Sequence, residues 1–270
     1  MKVEYEIVQK RRDDIMTLIQ KFGTVTVKDL AREFGTSEIT IRRDLQYWED
    51  AGAIQRTHGG ARLIQRMVHN DDRNMTNDRY IQSISKYAAT FVEDGDTIFI
   101  NTSYTALLLI HYIRGKHCTV ITNNGTAMSI EHDPKVQIVL TGGELHFPKK
   151  SMVGDFAINN VQRVLADKCF LGCSGITAED GITTAIMAET TINEMMLAQT
   201  TGRHFVLCDH TKVGLKYSFK SGSLEKIDTI ITDIAADQDE VAKIRSRGKE
   251  VICLQPIMHG EDVMAEQKNA

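Results

Sequence analysis

From Thr97 to Leu254 the chain alternates short, nearly continuous apolar runs with longer amphipathic stretches, and few folds accept that pattern. The runs read as strands over 97–100, 119–122, 136–141, 169–173, 204–208, 229–232 and 251–254, with helices over 106–113, 189–199 and 241–247. A further helix, with Ile81, Ile84, Ala88 and Phe91 on one side, leads into the first strand. Strands that are apolar throughout need cover on both faces, and helices between them return the chain so that successive strands run parallel. This part of the chain therefore reads as α/β, a doubly wound and mainly parallel sheet.

In such a sheet, ligands sit beyond the carboxyl ends of the strands. The residues expected there are small, polar or glycine: Asn101-Thr102-Ser103-Tyr104-Thr105, Thr122-Asn123-Asn124, Thr141-Gly142-Gly143-Glu144, Gly172-Cys173-Ser174 and Asp209-His210-Thr211-Lys212. Amides freed by glycine, together with hydroxyls and a lysine, suit a phosphate monoester, while Asn and Glu can bond sugar hydroxyls. Glycine, Asn and Ser also dominate ordinary turns for conformational reasons, so the reading rests on five such loops sharing one edge.

The first 64 residues follow a different rule. Ile15, Leu18, Ile19 and Phe22 have helical spacing before Gly23, and a short second helix starting at Thr26 buries Val27, Leu30 and Phe34 before Gly35. Thr36 or Ser37 caps a third helix in which Ile41, Leu45 and Trp48 form one apolar stripe. Thr36, Ile39, Thr40, Arg43, Gln46 and Tyr47 point the other way, with Arg42 at the margin. Arg forks onto guanine, Gln and Thr bond base edges or phosphates, and Ile lies against a thymine methyl, so this face fits a major groove. Residues 53–64 read as a two-stranded hairpin around a Gly-Gly turn, a wing that offers Arg56, His58 and Arg62 to phosphates or the minor groove. The whole is a winged helix-turn-helix.

Charge supports the division weakly. Through Arg66 there are 12 Lys and Arg against 10 Asp and Glu, and 20 against 26 in the remainder, so the basic end is the one suited to phosphate. The expected organisation is a DNA-binding domain over 1–64, a polar linker over 65–78 and a sensing domain over 79–270. The charged start is unlike a secretory signal, and no apolar run approaches the roughly 18 residues that span a bilayer, so a cytoplasmic location is expected. Cys118, Cys169, Cys173, Cys208 and Cys253 lack C-x-x-C spacing and read as free thiols. No metal site and no cofactor is expected.

The runs Val25-Thr26-Val27-Lys28-Asp29-Leu30-Ala31-Arg32-Glu33-Phe34, Ser37-Glu38-Ile39-Thr40-Ile41-Arg42-Arg43-Asp44-Leu45 and His58-Gly59-Gly60-Ala61 closely resemble the N-terminal domain of the DeoR family of bacterial transcriptional regulators. T-N-N after a strand, T-G-G-E-L, G-x-S-G-I followed by Asp180-Gly181-Ile182-Thr183, and D-H-T-K-V-G resemble that family's sensor domain. The resemblance implies a fold similar to ribose-5-phosphate isomerase and a phosphorylated sugar as inducer, and it adds Gly181 and Glu189 to the expected effector-binding residues. The chain departs from the family pattern at Asn101, Ser103 and Tyr104, where many members carry Asp, Gly and Thr, and at Asn193, where many carry Lys.

The expected function is thus a repressor of a carbohydrate operon, released from double-stranded operator DNA by a phosphorylated sugar or related metabolite. Operators read as paired half-sites imply a homodimer or homotetramer. The alternative is a sugar-phosphate isomerase with an appended DNA-binding unit. Enolisation needs a carboxylate base, and Gly172-Cys173-Ser174-Gly175-Ile176, where isomerases of this fold carry carboxylates, has none. No catalytic residue is assigned.

Overall fold

The computed structural model describes residues 8, 10–12, 14–19, 23–50, 54–57, 59–63, 72–147 and 149–257, with the backbone alone for 50, 55, 62, 63 and 72–76. The chain divides into two compact units, 1–70 and 71–270.

In the first unit, residues 14–19 are helical and bury Ile15 and Ile19, and the amide of Gly23 closes on the Ile19 carbonyl. Strand β1 (Thr24–Thr26) leads into α1 (Val27–Glu33), capped by the Thr26 side chain, which accepts from the Asp29 amide at 3.1 Å and donates to the Asp29 carboxylate. Helix α1 ends in paired backbone bonds, Gly35 N to Arg32 O and Thr36 N to Ala31 O, which need the left-handed φ of +57° that Gly35 supplies. Ser37 then caps α2 (Glu38–Asp50), accepting from the Thr40 amide at 3.2 Å. Ile41, Leu45 and Trp48 are buried as the spacing predicts.

Strands β2 (Ile54–Thr57) and β3 (Gly60–Leu63) form the wing, with two corrections. The sheet has three strands, because β1 pairs antiparallel with β3; a three-residue run is too short to show alternation. Gly60 lies inside β3, opposite both Thr57 and Thr26, and not in the turn. A Cβ on Gly60 would collide with the Val25 carbonyl oxygen.

The second unit opens with α3 (Asp72–Ala89), so the helix starts inside the 65–78 stretch expected to be linker. A helix start built from Asp, Arg and Asn carries no apolar period by which to read it. The sheet then takes β4 (Thr97–Ile100), β5 (Cys118–Thr122), β6 (Val136–Leu140), β9 (Ala166–Leu171), β12 (Thr200–Leu207), β14 (Thr229–Asp233) and β15 (Glu250–Leu254). The spatial order is β6-β5-β4-β9-β12-β14-β15, with every pair parallel. The first strand lies inside the sheet, the next two extend one way from it and the remaining four the other, which is the doubly wound order.

Alternate residues face opposite layers. Ile98, Ile100, Phe170, Phe205 and Leu207 meet α3 and α4 (Tyr104–Tyr112) on one side, with the Phe170 and Phe205 rings stacked 4.7 Å apart. Phe99, Cys169, Leu171 and Val206 join the layer that contains α5 (Asp155–Val161), α6 (Thr190–Ala198) and α7 (Gln238–Ser246). Helix α5 and several short strands outside the sheet's rhythm were not read from sequence. These strands are the hairpin β7 (Glu144–His146) with β8 (Ser151–Val153), and an antiparallel sheet in which β11 (Gly181–Thr184) lies between β10 (Gly175–Thr177) and β13 (Phe219–Gly222). The five cysteines are free, and burial pushes the Cys169 thiol up to about 12 and the Cys118 thiol up to about 11. Among the described residues no helix is long and apolar enough to cross a membrane, and no cluster of His, Cys, Asp and Glu has metal-binding geometry.

The close approach at Gly60 has a measurable consequence. Gly60→Ala should destabilise the first unit by about 1 to 3 kcal/mol, the range for forcing atoms into a packed site. The chain has a single tryptophan, Trp48, buried in that unit. Urea unfolding followed by its fluorescence reads the loss directly, and an unchanged midpoint would contradict the collision.

Candidate DNA interface and candidate effector site

The outward face of α2 carries Ile39, 66% exposed, with Arg42, Arg43, Gln46 and Tyr47 also exposed and Thr36 and Thr40 half-buried. Ser37 is exposed and its hydroxyl is engaged in the cap. Among the described residues Arg43 has no ion-pair partner, whereas Arg42 lies 3.4 Å from Glu38 one turn back. Arg56 from β2 donates to the Gln46 side-chain oxygen at 3.0 Å, and its amide bonds Glu49. The guanidinium of Arg12 covers the Tyr47 ring at 4.1 Å. His58 lies outside the described residues, and Arg62 is described by its backbone in β3.

Sequence reasoning missed what holds this face in place. Asp44 is 2% exposed, and its two oxygens accept from Arg11 at 2.7 Å and Arg12 at 3.1 Å. The Trp48 ring nitrogen donates to the Arg12 carbonyl at 2.8 Å. The helix is thus clamped by charge as well as by its apolar stripe, and the Asp of R-R-D-L faces inward. A helical wheel already sets Asp44 beside Ile41 and Leu45; its charge alone argued for solvent.

At the sheet, the topological switch point falls between β4 and β9. Asn101, just past β4, accepts from the Gly172 amide at 2.9 Å and donates to the Gly172 carbonyl at 2.9 Å. The same side-chain nitrogen donates to Asn193 of α6 at 3.1 Å. The Thr102 hydroxyl donates to Glu189 at 3.0 Å, and the Ser103 amide donates to the Asn101 side-chain oxygen at 3.2 Å. Glu189, 4% exposed, also accepts from Thr184 at 3.2 Å, and both its oxygens accept from the Lys149 ammonium at 3.0 Å. Asn101, Thr102, Ser103, Gly172 and Glu189 therefore form one bonded cluster in the crevice where the strand order reverses.

Ser103 and the remaining expected residues have further roles in the fold. Ser103 caps α4, Tyr104 is its exposed first residue, and Thr105 is buried, its carbonyl accepting from Ser85. Burial, helped by the charge of Asp78, raises the Tyr104 phenol above its ordinary pKa. Thr122 accepts from the Asn124 amide, Asn123 donates to the Met152 carbonyl, and Asn124 caps the short turn of helix at Gly125–Ser129. Gly142 and Gly143 lead into β7, where Glu144 is exposed. Ser174 is buried, and Gly181 opens β11 opposite Thr177 of β10. Lys212 follows β12, and its ammonium donates to Thr211 at 2.8 Å with no ion pair among the described residues. Lys149 and Thr184 were not foreseen: nothing local to a lysine in a turn points to a carboxylate 40 positions on.

The Asn101–Asn193 pair yields a test. Asn101→Asp sets a carboxylate against the Gly172 carbonyl with no cation at Asn193, and should destabilise the second unit by about 2 kcal/mol or more. Adding Asn193→Lys should recover most of the loss by pairing the new charge. Thermal melts of the two single variants and the double close the cycle; additive losses would contradict a direct coupling.

The model of the DeoR-like helix-turn-helix domain matches residues 11–67, and that of the DeoR C terminal sensor domain matches residues 77–234. The chain is similar to the HTH-type transcriptional regulator GolR of Listeria innocua serovar 6a, at 32% identity over 90% of this chain and 97% of that protein. It is similar also to the lactose phosphotransferase system repressor of Lactococcus lactis subsp. lactis, at 31% identity over 83% and 91%. A looser likeness joins 50% of this chain to 54% of ribose 5-phosphate isomerase A from Methanocaldococcus jannaschii, at 16% identity and a TM-score of 0.36. The chain belongs to the DeoR family of DNA-binding transcriptional regulators.

Proposed function

We propose that this regulator represses a carbohydrate operon and leaves its operator when a phosphorylated sugar or related metabolite binds at the β4–β9 crevice. The observation that carries the reading is the outward face of α2: Ile39, Arg43 and Gln46 are presented on a helix whose opposite face is fixed by Asp44 and Trp48. A relative named as a repressor of a lactose phosphotransferase system supports the carbohydrate role. Release follows from linkage: the effector must bind the arrangement that is poor at holding DNA better than the one that is good at it. Residues 1–64 supply operator contact and 79–270 the sensing, in the cytoplasm where the DNA is. Two half-sites call for a homodimer or homotetramer, which sedimentation of the full chain decides.

The reading excludes turnover of the effector. No carboxylate stands at Gly172-Cys173-Ser174, and both oxygens of Glu189 are engaged by Lys149, Thr102 and Thr184, which opposes its use as a base. Incubation with pentose and hexose phosphates in heavy water should give no enzymic exchange of the carbon-bound proton by NMR.

If Arg43 forks onto a guanine, Arg43→Ala costs about 1 to 3 kcal/mol on the operator and far less on unrelated DNA. Removing Arg56 or Arg62 should weaken all duplexes alike and lower the slope of log affinity against log salt by about one for each phosphate no longer neutralised. Ile39→Ala should relax preference for a thymine and leave that slope unchanged. Fluorescence anisotropy on operator, single-base-changed and scrambled duplexes at several salt concentrations separates the three. A uniform loss for Arg43→Ala would make it a backbone anchor and turn the reading face toward Arg42.

A further inference from the structure

Glu189 is a buried carboxylate whose cation comes from the tip of a hairpin. Among the described residues Lys149 is its one ion-pair partner, held at 3.0 Å, with a quarter of the lysine side chain exposed. The tip is also strained: Lys150 has a φ of +54°, the left-handed region that non-glycine residues avoid. The hairpin seats on the loop after β5 through Gly125 N to Lys150 O and Met152 N to Asn123 O, both 2.8 Å. At that seat two buried polar atoms, Ser151 Oγ on β8 and Asn123 Oδ1 on the loop after β5, have no hydrogen-bond partner among the described residues. Orphaned buried groups are rare in native proteins, and each calls for a cause such as strain or a bound water or ion.

We propose that Lys149 is the anion anchor of the effector site in this chain, taking the phosphate monoester of the effector, while Glu189 accepts from hydroxyls of the attached sugar. The proposal rests on the effector-binding reading above. A buried ion pair gains little net stability, because desolvation of both charges offsets their attraction. An ammonium so placed can exchange a carboxylate for a phosphate at small cost, since each is a charge-assisted acceptor. When Lys149 turns to the phosphate, Thr102 and Thr184 still donate to Glu189, and the lone pairs Lys149 leaves are those a sugar hydroxyl needs. Glu189 reaches the switch-point crevice through Thr102, which follows Asn101, and Lys149 meets that carboxylate with a quarter of its side chain exposed. The hairpin then senses occupancy directly, because its seat and its tip lie two residues apart.

The experiment uses the full chain and a fixed set of probes: glucose 6-phosphate, ribose 5-phosphate, tagatose 6-phosphate, glycerol 3-phosphate, their unphosphorylated counterparts and inorganic phosphate. Thermal shift finds the probes that bind the wild type, and calorimetry gives affinities. Lys149→Met should weaken the best sugar phosphate about tenfold or more, and Lys149→Arg, which keeps the charge, should retain most of the binding. Because Lys149→Met leaves Glu189 unpaired, the double variant Lys149→Met with Glu189→Gln removes both charges and should melt like the wild type yet still bind poorly. Affinity unchanged in both Met variants would overturn the assignment of Lys149 and leave the effector site standing. Equal binding of a sugar and its phosphate would overturn the anion anchor. A wild type that binds none of the probes would overturn the effector reading and this inference with it.

Discussion

A doubly wound sheet must split where its strand order reverses, and in this chain the split is closed by one side chain. The loops after β4 and β9 leave in opposite directions, so no continuing ladder joins the two strand ends. Asn101 replaces it: its side-chain amide exchanges both bonds with Gly172, then reaches Asn193. That places α6 and the Glu189 turn against the crevice, and the Glu189 carboxylate in turn gathers Thr102, Thr184 and the hairpin tip. The position of each polar group in the site traces back to the closure of that gap.

The two units solve the same problem with different chemistry. In the first, an inward Asp44 fastens α2 with two guanidiniums that remain partly exposed, so the desolvation cost falls mainly on the carboxylate. In the second, the central link is between neutral amides, which orient groups without asking for a counter-ion. Beside that link the cluster holds one charge pair, Glu189 with Lys149, among Asn and Thr side chains.

The large sheet was legible because its strands are apolar on both faces, and burial on both faces leaves a continuous run in the sequence. The runs at Thr97–Ile100 and Glu250–Leu254 were placed within a residue by that signal. Strands β1, β7, β8 and β10 are three residues each, too short for any period. Partners were harder to read than elements. Glu189 was expected at the site, but the lysine it meets is brought there by a hairpin no local pattern announced. Asn123 and Asn124 show the opposite case: side chains suited to a ligand are engaged in seating β8 and capping a turn. Composition identifies groups able to bond, and only the fold says which already do.

The bond between Gln46 and Arg56 ties α2 to the wing strand β2. The Gln46 oxygen accepts and the Arg56 guanidinium donates. An amide oxygen has two lone pairs and a guanidinium five N–H groups, so the bond fixes how both groups are turned without using up either. Substitution at either position would release one tie between the wing and the helix.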